Sequence, residues 1–406
     1  MRVFSSAVIG FVVLMIAACS NGKSATTSTL QLKTAELPTP AAPLAPPIPP
    51  PPKIPARGYV LMDAANGQVL AAENDNAPLE PASLTKIMTA YAVFDALRSG
   101  SLKLVDKVTI SEHAWRVGGA ATEGSTSFLP VNSQASVEVL LQGMIVQSGN
   151  DASIALAERV GGSEEAFAHL MNSYAKRLGM TGTHFENSTG LPGQTHRTTA
   201  HDMALLAMAL IRDFPQYYSM FSERKYTNNG ITQHNRNGLL DRDPTVDGLK
   251  TGHTENAGYC LVSSAKRDSM RLISVVMGTQ SVHAREDASA ALLNYGFNFF
   301  ESKQLIRAGQ SLATLKIWQG AKNELNVGVT ASAFVTIPRG RAGLVQTKLN
   351  LPKSVVAPVA QSTPIGSVSF VLGGKVLATQ SLYPLAAVAQ AGFLGRLFDS
   401  VRMKFE

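Results

Sequence analysis

Apolar residues recur with two different periods along this chain, and each change of period marks a new element. In the segment 83–98, Leu84, Ile87, Met88, Tyr91, Phe94 and Leu97 repeat every three or four positions, which predicts a buried helix stopped by Gly100. The same spacing predicts helices over 137–146 and 151–160, the second ending at Gly161-Gly162. Two β-rich runs, 59–62 and 68–72, flank Asn66-Gly67, a dipeptide that favours the two positive φ angles of a type I′ hairpin turn. Runs 258–264 and 271–276 read as strands joined through Lys266, Arg267 and Asp268. From about 304 to 384, Val, Leu, Thr and Gly alternate with turn signals such as Ile337-Pro338-Arg339-Gly340, the pattern of a compact β domain. At the carboxyl end, Phe393, Leu394, Leu397, Phe398, Val401 and Phe405 fall on one helical face, with Arg396, Arg402 and Lys404 among the polar positions. Such a helix is suited to lie in a membrane interface.

The amino end carries no such periodicity. Arg2 precedes an apolar stretch over 8–18 that is too short to span a bilayer and fits the h-region of a secretory signal. Export is therefore expected, with residues 1–18 as the signal. Ile16-Ala17-Ala18-Cys19 resembles a bacterial lipobox, which would make Cys19 an acylated first residue, and Ser20 beside it is compatible with onward sorting to an outer membrane. Residues 19–56 are rich in Ser, Thr, Ala and Pro and end in a polyproline run, so a disordered linker with an extended proline half is expected.

A chain of 406 residues is long for a single core, and two folded units plus appendages are expected. The formal net charge of +7 comes without a basic stripe, a zinc-ligand cluster or an interleaved aromatic-basic run, which argues against nucleic acid. A solvated basic surface facing anionic lipid or cell-wall polymer fits better. With Cys19 acylated, Cys260 has no partner for a disulfide and is expected to be a buried strand residue.

The candidate chemistry lies in three short segments. S-x-x-K occurs five times, starting at Ser20, Ser83, Ser173, Ser222 and Ser263, and alone selects nothing. Ser148-Gly149-Asn150 is the single S-x-N and Lys250-Thr251-Gly252 the single K-T-G, so the ordered set selects Ser83. Ser83 stands in the first turn of the predicted helix, with Lys86 one turn later on the same face. A serine hydroxyl needs a base, and lysine serves only when burial or a second cation destabilises its ammonium. Lys86 and Lys250 form that pair, with Lys86 expected neutral and Lys250 charged to attract an anionic substrate. Ser148 can relay a proton and Asn150 can hold a substrate amide. Backbone N–H groups of Ser83 and His253 are candidates for an oxyanion hole. Taken singly, each residue has a bland reading as helix cap, surface cation or turn former; their joint occurrence carries the argument. The eight histidines show no metal-ligand spacing, and neither metal nor cofactor is expected.

The three segments resemble those of penicillin-recognising serine enzymes. More specifically, Gly230-Ile231-Thr232-Gln233-His234-Asn235-Arg236-Asn237-Gly238, then Val246-Asp247-Gly248-Leu249-Lys250-Thr251-Gly252-His253-Thr254, and Met270-Arg271-Leu272-Ile273-Ser274-Val275-Val276-Met277-Gly278 resemble the D-alanyl-D-alanine carboxypeptidase family. This is peptidase family S11, the low-molecular-weight penicillin-binding proteins of the penicillin-binding protein 5 type. The resemblance implies an α/β penicillin-binding (β-lactamase-like) transpeptidase domain with an antiparallel sheet and helices over 57–302. It also implies a small all-β domain over 303–385 and an amphipathic membrane-anchoring helix over 386–406. Ser83 would be the acylated nucleophile, Lys86 the general base and Ser148 the third active-site residue, with Asn150, Lys250, Thr251, Gly252 and His253 lining the groove. Arg285 matches an arginine that holds the terminal carboxylate, with Thr251, and Arg236 matches another groove arginine. The implied enzyme removes the last D-alanine from peptidoglycan stem peptides ending in D-Ala-D-Ala and is trapped by β-lactam antibiotics. It would work in the periplasm, peripherally attached to an anionic membrane surface. Two alternatives stand beside this one: a class A-like β-lactamase, for which Glu186-Asn187 would supply a deacylating glutamate, and a catalytically inactive cell-wall-binding relative.

Overall fold

The computed structural model of the protein describes residues 48–119 and 124–403. The expected signal, Cys19, the first part of the linker, Lys404 and Phe405 lie outside the described residues.

Strands β1 (Gly58–Asp63) and β2 (Val69–Glu73) form the predicted hairpin, but its turn is not type I′. The Asp63 and Gly67 amides close a longer loop on the Gln68 and Asp63 carbonyls, and Gly67 (φ 72°) is left-handed while Asn66 is not. The Asn66 side chain is engaged instead: its Oδ1 accepts from the Gln68 amide and its Nδ2 reaches Thr336 Oγ1. A 3₁₀ turn (Ala82–Thr85) then runs into α1 (Lys86–Ser99), which Gly100 caps in the left-handed conformation. Next come β3 (Lys107–Thr109), α2 (Glu112–Gly118), β4 (Gln134–Ser136) and α3 (Val137–Gln142), the last continued as a wider turn through Gln147. Helices α4 (Asn150–Gly161), α5 (Glu164–Arg177), α6 (Ala200–Asp213) and the short α7 (Pro215–Tyr218) follow. The exposed hairpin β5 (Lys225–Asn228) with β6 (Ile231–His234) and the single turn α8 (Leu239–Arg242) lead to β7 (Val246–Thr254). Strands β8 (Gly258–Arg267) and β9 (Met270–Thr279) and helix α9 (Val282–Phe299) complete this part.

The main sheet is antiparallel, in the order β2-β1-β9-β8-β7, so β7 is an edge strand. Both faces are covered, which is why β1 reads as an unbroken apolar run rather than an alternation. Val60, Met62, Ile273 and Val275 face α6 and join the core cluster that α1 and α4 complete, whereas Leu61, Leu261, Leu272 and Val276 lie on the α9 side. Residues 48–56, expected to belong to the disordered linker, instead pack on this second face. Ile54 is buried, Ile48 and Ala56 pack against the same cluster, and the Pro49 carbonyl accepts from Tyr295 Oη.

The remainder is all-β. It comprises β10 (Phe300–Ile306), β11 (Ser311–Trp318), β12 (Glu324–Gly328), β13 (Ala333–Pro338), β14 (Gln346–Asn350), β15 (Ser354–Val356), β16 (Gly366–Leu372) and β17 (Lys375–Pro384). The sheets are a β10-β13 pair and a six-stranded layer ordered β14-β16-β17-β12-β11-β15. The boundary expected between 302 and 303 falls inside β10, because α9 passes into that strand at Phe300 without a loop. Helix α10 (Phe393–Arg402) begins seven residues later than the expected 386, since Val388, Ala389 and Gln390 pair with the β layer first. Its polar side is tied down: Asp399 accepts from the Gln319 amide at 2.6 Å and Ser400 Oγ accepts from Gln319 Nε2. Its apolar side is open, with Phe393, Leu394, Leu397, Phe398 and Val401 each more than half exposed. Among the described residues no helix is long and apolar enough to cross a membrane.

Candidate active site

The sequence segments meet in one cleft of about 510 Å³, lined by Ser83, Ser148, Asn150, Thr251, Gly252, His253, Arg236 and Arg285 among others. Ser83 is held by the 3₁₀ turn that begins at Ala82, a non-glycine residue with φ 47°. That strained backbone turns the Ser83 hydroxyl toward Lys86, whose Nζ donates to Ser83 Oγ at 3.0 Å. Lys86 also donates to Asn150 Oδ1 at 2.7 Å and to the Thr189 carbonyl at 2.6 Å, so all three of its donors have acceptors. It is fully buried, and burial, helped by Arg236, lowers its pKa to about 7 against the opposing pull of Asp151 and Glu164.

Ser148 sits where the helical stretch after α3 ends, in the left-handed conformation (φ 70°). Its buried hydroxyl has no protein partner and lines the cleft. Asn150 opens α4, and Asp151 beside it anchors the neighbouring loop by accepting from the Ser127 and Leu129 amides and from Thr126 Oγ1.

Edge strand β7 forms the opposite wall. A Cβ on Gly252 would lie 3.0 Å from the Pro81 carbonyl oxygen and 3.2 Å from the Ser83 nitrogen, so a side chain here would push the strand or the nucleophile turn back by a few tenths of an ångström. Lys250 is buried and donates to the Thr251 carbonyl. Burial, together with Lys86, Arg236 and Arg285, pushes its pKa well below the ordinary lysine value. The expected division into one neutral and one charged lysine is therefore not imposed by the protein alone. His253 is exposed and lies against Tyr259, with ring centroids 4.0 Å apart. Arg285, on α9, is buried over Tyr259; it donates to the Gly252 and Arg236 carbonyls and its Nε has no partner. Arg236 is exposed at the rim. Among the described residues the lining holds two arginines and no Asp or Glu.

Glu186 is not in the cleft. It accepts from the Thr195 amide and hydroxyl and faces a separate depression with His113, Glu158 and Glu164. Asn187 organises its own loop, its Oδ1 accepting from the Thr189 and Gly190 amides. The glutamate offered for a class A-like β-lactamase is thus on the wrong surface. Sequence reasoning missed the part played by that loop: Thr189 supplies a carbonyl to Lys86, and Gly190 and Leu191 line the cleft. Asn187 three residues before Gly190 was the available signal, an Asx turn followed by a left-handed glycine. Cys260 is a buried strand residue, its thiol pushed up to about 11 by burial, as expected of an inert cysteine. Among the described residues no group of three or more His, Cys, Asp or Glu side chains could hold a metal ion.

The sequence profile of the D-alanyl-D-alanine carboxypeptidase family, peptidase S11, matches residues 46–281. The chain belongs to this family. A second profile, the C-terminal domain of penicillin-binding protein 5, matches residues 300–390 and begins where β10 does. The chain is 45% identical over 357 residues to D-alanyl-D-alanine carboxypeptidase DacC of Escherichia coli (strain K12), covering 87% of this chain and 89% of that protein. The crystal structure of penicillin-binding protein 5 from Haemophilus influenzae superposes with a TM-score of 0.80 at 42% identity, covering 84% of this chain and 99% of that one. Penicillin-binding protein D2 of Listeria monocytogenes, solved in its ampicillin-bound form, superposes with a TM-score of 0.54 at 30% identity, over 61% of this chain and all of that one. The expected fold class, an α/β penicillin-binding domain with an antiparallel sheet followed by an all-β domain and a short terminal helix, is the one present.

Proposed function

We propose that this serine-type D-Ala-D-Ala carboxypeptidase forms its acyl-enzyme on Ser83, trimming the terminal D-alanine from peptidoglycan stem peptides. One observation carries the assignment: a buried lysine with a pKa lowered to about 7 donates to Ser83 Oγ at 3.0 Å on the floor of a cationic cleft. Neutral Lys86 takes the Ser83 proton as Oγ attacks the carbonyl of the penultimate D-alanine. The negative charge that develops is suited to the backbone N–H groups of Ser83 and His253. Ser148, whose hydroxyl has no other partner, relays the proton taken up by Lys86 to the leaving D-alanine nitrogen, so that Lys86 is neutral again when water attacks the ester. Water then cleaves the ester and releases the shortened stem. Arg285, buried with an unpartnered Nε, and Thr251 take the terminal carboxylate, and that incoming charge keeps Lys250 protonated. Asn150 orients the substrate amide, Gly252 admits the peptide alongside β7, and Arg236 guards the rim. β-Lactams carry a reactive carbonyl and a carboxylate and enter the same cleft. The test is intact-mass spectrometry. Wild-type protein should gain one penicillin and release D-alanine from a D-Ala-D-Ala peptide; rapid turnover of the adduct without D-alanine release would favour a β-lactamase.

Attachment to an anionic membrane surface, in an exported and periplasmic enzyme, is proposed on two grounds. Residues 303–406 carry 12 Lys and Arg against 3 Asp and Glu, whereas residues 1–302 carry 24 against 26, so the net positive charge lies entirely in the β domain and tail. The apolar face of α10 opens outward beside that domain. Each exposed Phe, Leu or Val gains roughly 1.5–3 kcal/mol if fully buried in the interface. Deleting residues 392–406 from mature protein carrying Cys19→Ser should abolish co-sedimentation with anionic vesicles and spare hydrolysis of a soluble peptide. Full-length Cys19→Ser protein that stays in the supernatant at low salt would overturn the anchor. Acylation at Cys19 is an additional proposal, tested by the mass of the membrane-extracted amino terminus.

A further inference from the structure

His196 lies outside every role above, yet it is buried, has polar partners on both ring nitrogens, and one of those partners is inside the S-x-x-K segment. Its Nδ1 accepts from the Glu186 amide at 3.2 Å. The neutral ring therefore carries its proton on Nε2, which donates to Thr85 Oγ1 at 2.9 Å. Phe185 packs edge-on against the ring and fixes its plane. Thr85 stands between Ser83 and Lys86, while the loop that carries His196 also supplies the Thr189 carbonyl to Lys86. Gly190 of that loop presses on the backbone of Ala82. We propose that His196 is a positioning residue, which pins the nucleophile turn to the 186–196 loop through Thr85 and so keeps Lys86 Nζ aimed at Ser83 Oγ.

The inference rests on the assignment of Ser83 and Lys86 as nucleophile and base. The ionisable groups that bear on the ring are Glu186, His184 and Lys86. Burial outweighs the pull of Glu186 and, helped by His184 and Lys86, lowers its pKa to about 4, so the donor tautomer persists wherever Lys86 can act as a base. Losing the pin lets the turn and loop separate, admits water to Lys86, and raises the pKa of the base toward its ordinary value.

Four variants test this: His196→Leu, Thr85→Val, Thr85→Ser and the double variant His196→Leu/Thr85→Val. The readouts are the single-turnover rate of penicillin acylation, its dependence on pH, and Tm. Mass spectrometry of the wild-type adduct in the same series locates it on Ser83, so failure of the nucleophile assignment is seen separately. Thr85→Val, isosteric and lacking the hydroxyl, should slow acylation by roughly 10-fold to 100-fold and move the acidic limb of the pH profile upward. Thr85→Ser should restore both, and His196→Leu should add little to Thr85→Val because the two act as one unit. A Thr85→Val protein with the wild-type acylation rate and pH limb would overturn the proposal, as would additive losses in the double variant. His196→Leu that lowers Tm while leaving the rate and the limb of the folded fraction unchanged would reduce His196 to a core residue and equally overturn it.

Discussion

Lys86→Ala should reduce acylation of Ser83 by about 10³-fold or more, and Ser83→Ala should take up no penicillin at all. The alanine at position 86 removes the donor that holds Ser83 Oγ and the acceptor for its proton, and among the described residues that line the cleft the one side chain of the His, Asp and Glu types is the exposed ring of His253. The pH dependence has a definite sign. Lys86 is active when neutral, and burial lowers its pKa to about 7, so wild-type acylation should rise with pH through about 7 and fall below it. A lysine with its ordinary pKa would put that rise more than three units higher. Penicillin labelling followed over pH 5 to 9, under conditions where folding is intact, reads the limb directly. A flat profile, or labelling that survives in Ser83→Ala, would remove this pair from the chemistry.

Those residues were visible in the sequence because S-x-x-K, S-x-N and K-T-G are contiguous strings with fixed spacing. The helix behind Ser83 was visible too, since its apolar positions repeat at 3.6 and Gly100 stops it. What could not be read depends on backbone atoms and on long-range approach. Thr189 contributes a carbonyl, which leaves no mark on side-chain identity. Gly190 reads as one glycine among 33, and its value appears only when Ala82, more than a hundred positions earlier, is found against it. The 66–67 turn departs from type I′ because Asn-Gly predicts a two-residue loop only locally, whereas Asn66 is engaged by Thr336 of the β domain. Likewise the prolines after residue 47 suggest a free linker by composition, yet Ile54 finds a slot against α9 that composition cannot anticipate. The division of charge between Lys86 and Lys250 could not be read either. It depends on how completely each ammonium is desolvated, and both are buried.

Gly190→Ala should disable the site more severely than its size suggests. At φ 86° the residue occupies a region that costs an L-amino acid roughly 1–2 kcal/mol. The added Cβ would also fall 1.7 Å from the Ala82 carbonyl oxygen and 2.9 Å from Thr85 Oγ1. The first of these is backbone, and Ala82 is itself left-handed at φ 47°, so neither chain can yield without moving Ser83. Overpacking of this kind costs about 1–3 kcal/mol more, and the relief of the clash draws the Thr189 carbonyl away from Lys86. Gly179 supplies the control. Its φ is 78°, but a Cβ there meets nothing within 4 Å, so Gly179→Ala isolates the conformational cost. Gly190→Ala is expected to lower Tm several degrees further than Gly179→Ala and to cut acylation by about 100-fold at temperatures where both are folded. Thermal unfolding followed by circular dichroism, with penicillin labelling on the same samples, makes the comparison. Equal Tm losses with acylation intact in Gly190→Ala would mean that the loop yields freely, and that the carbonyl of Thr189 does not govern the base.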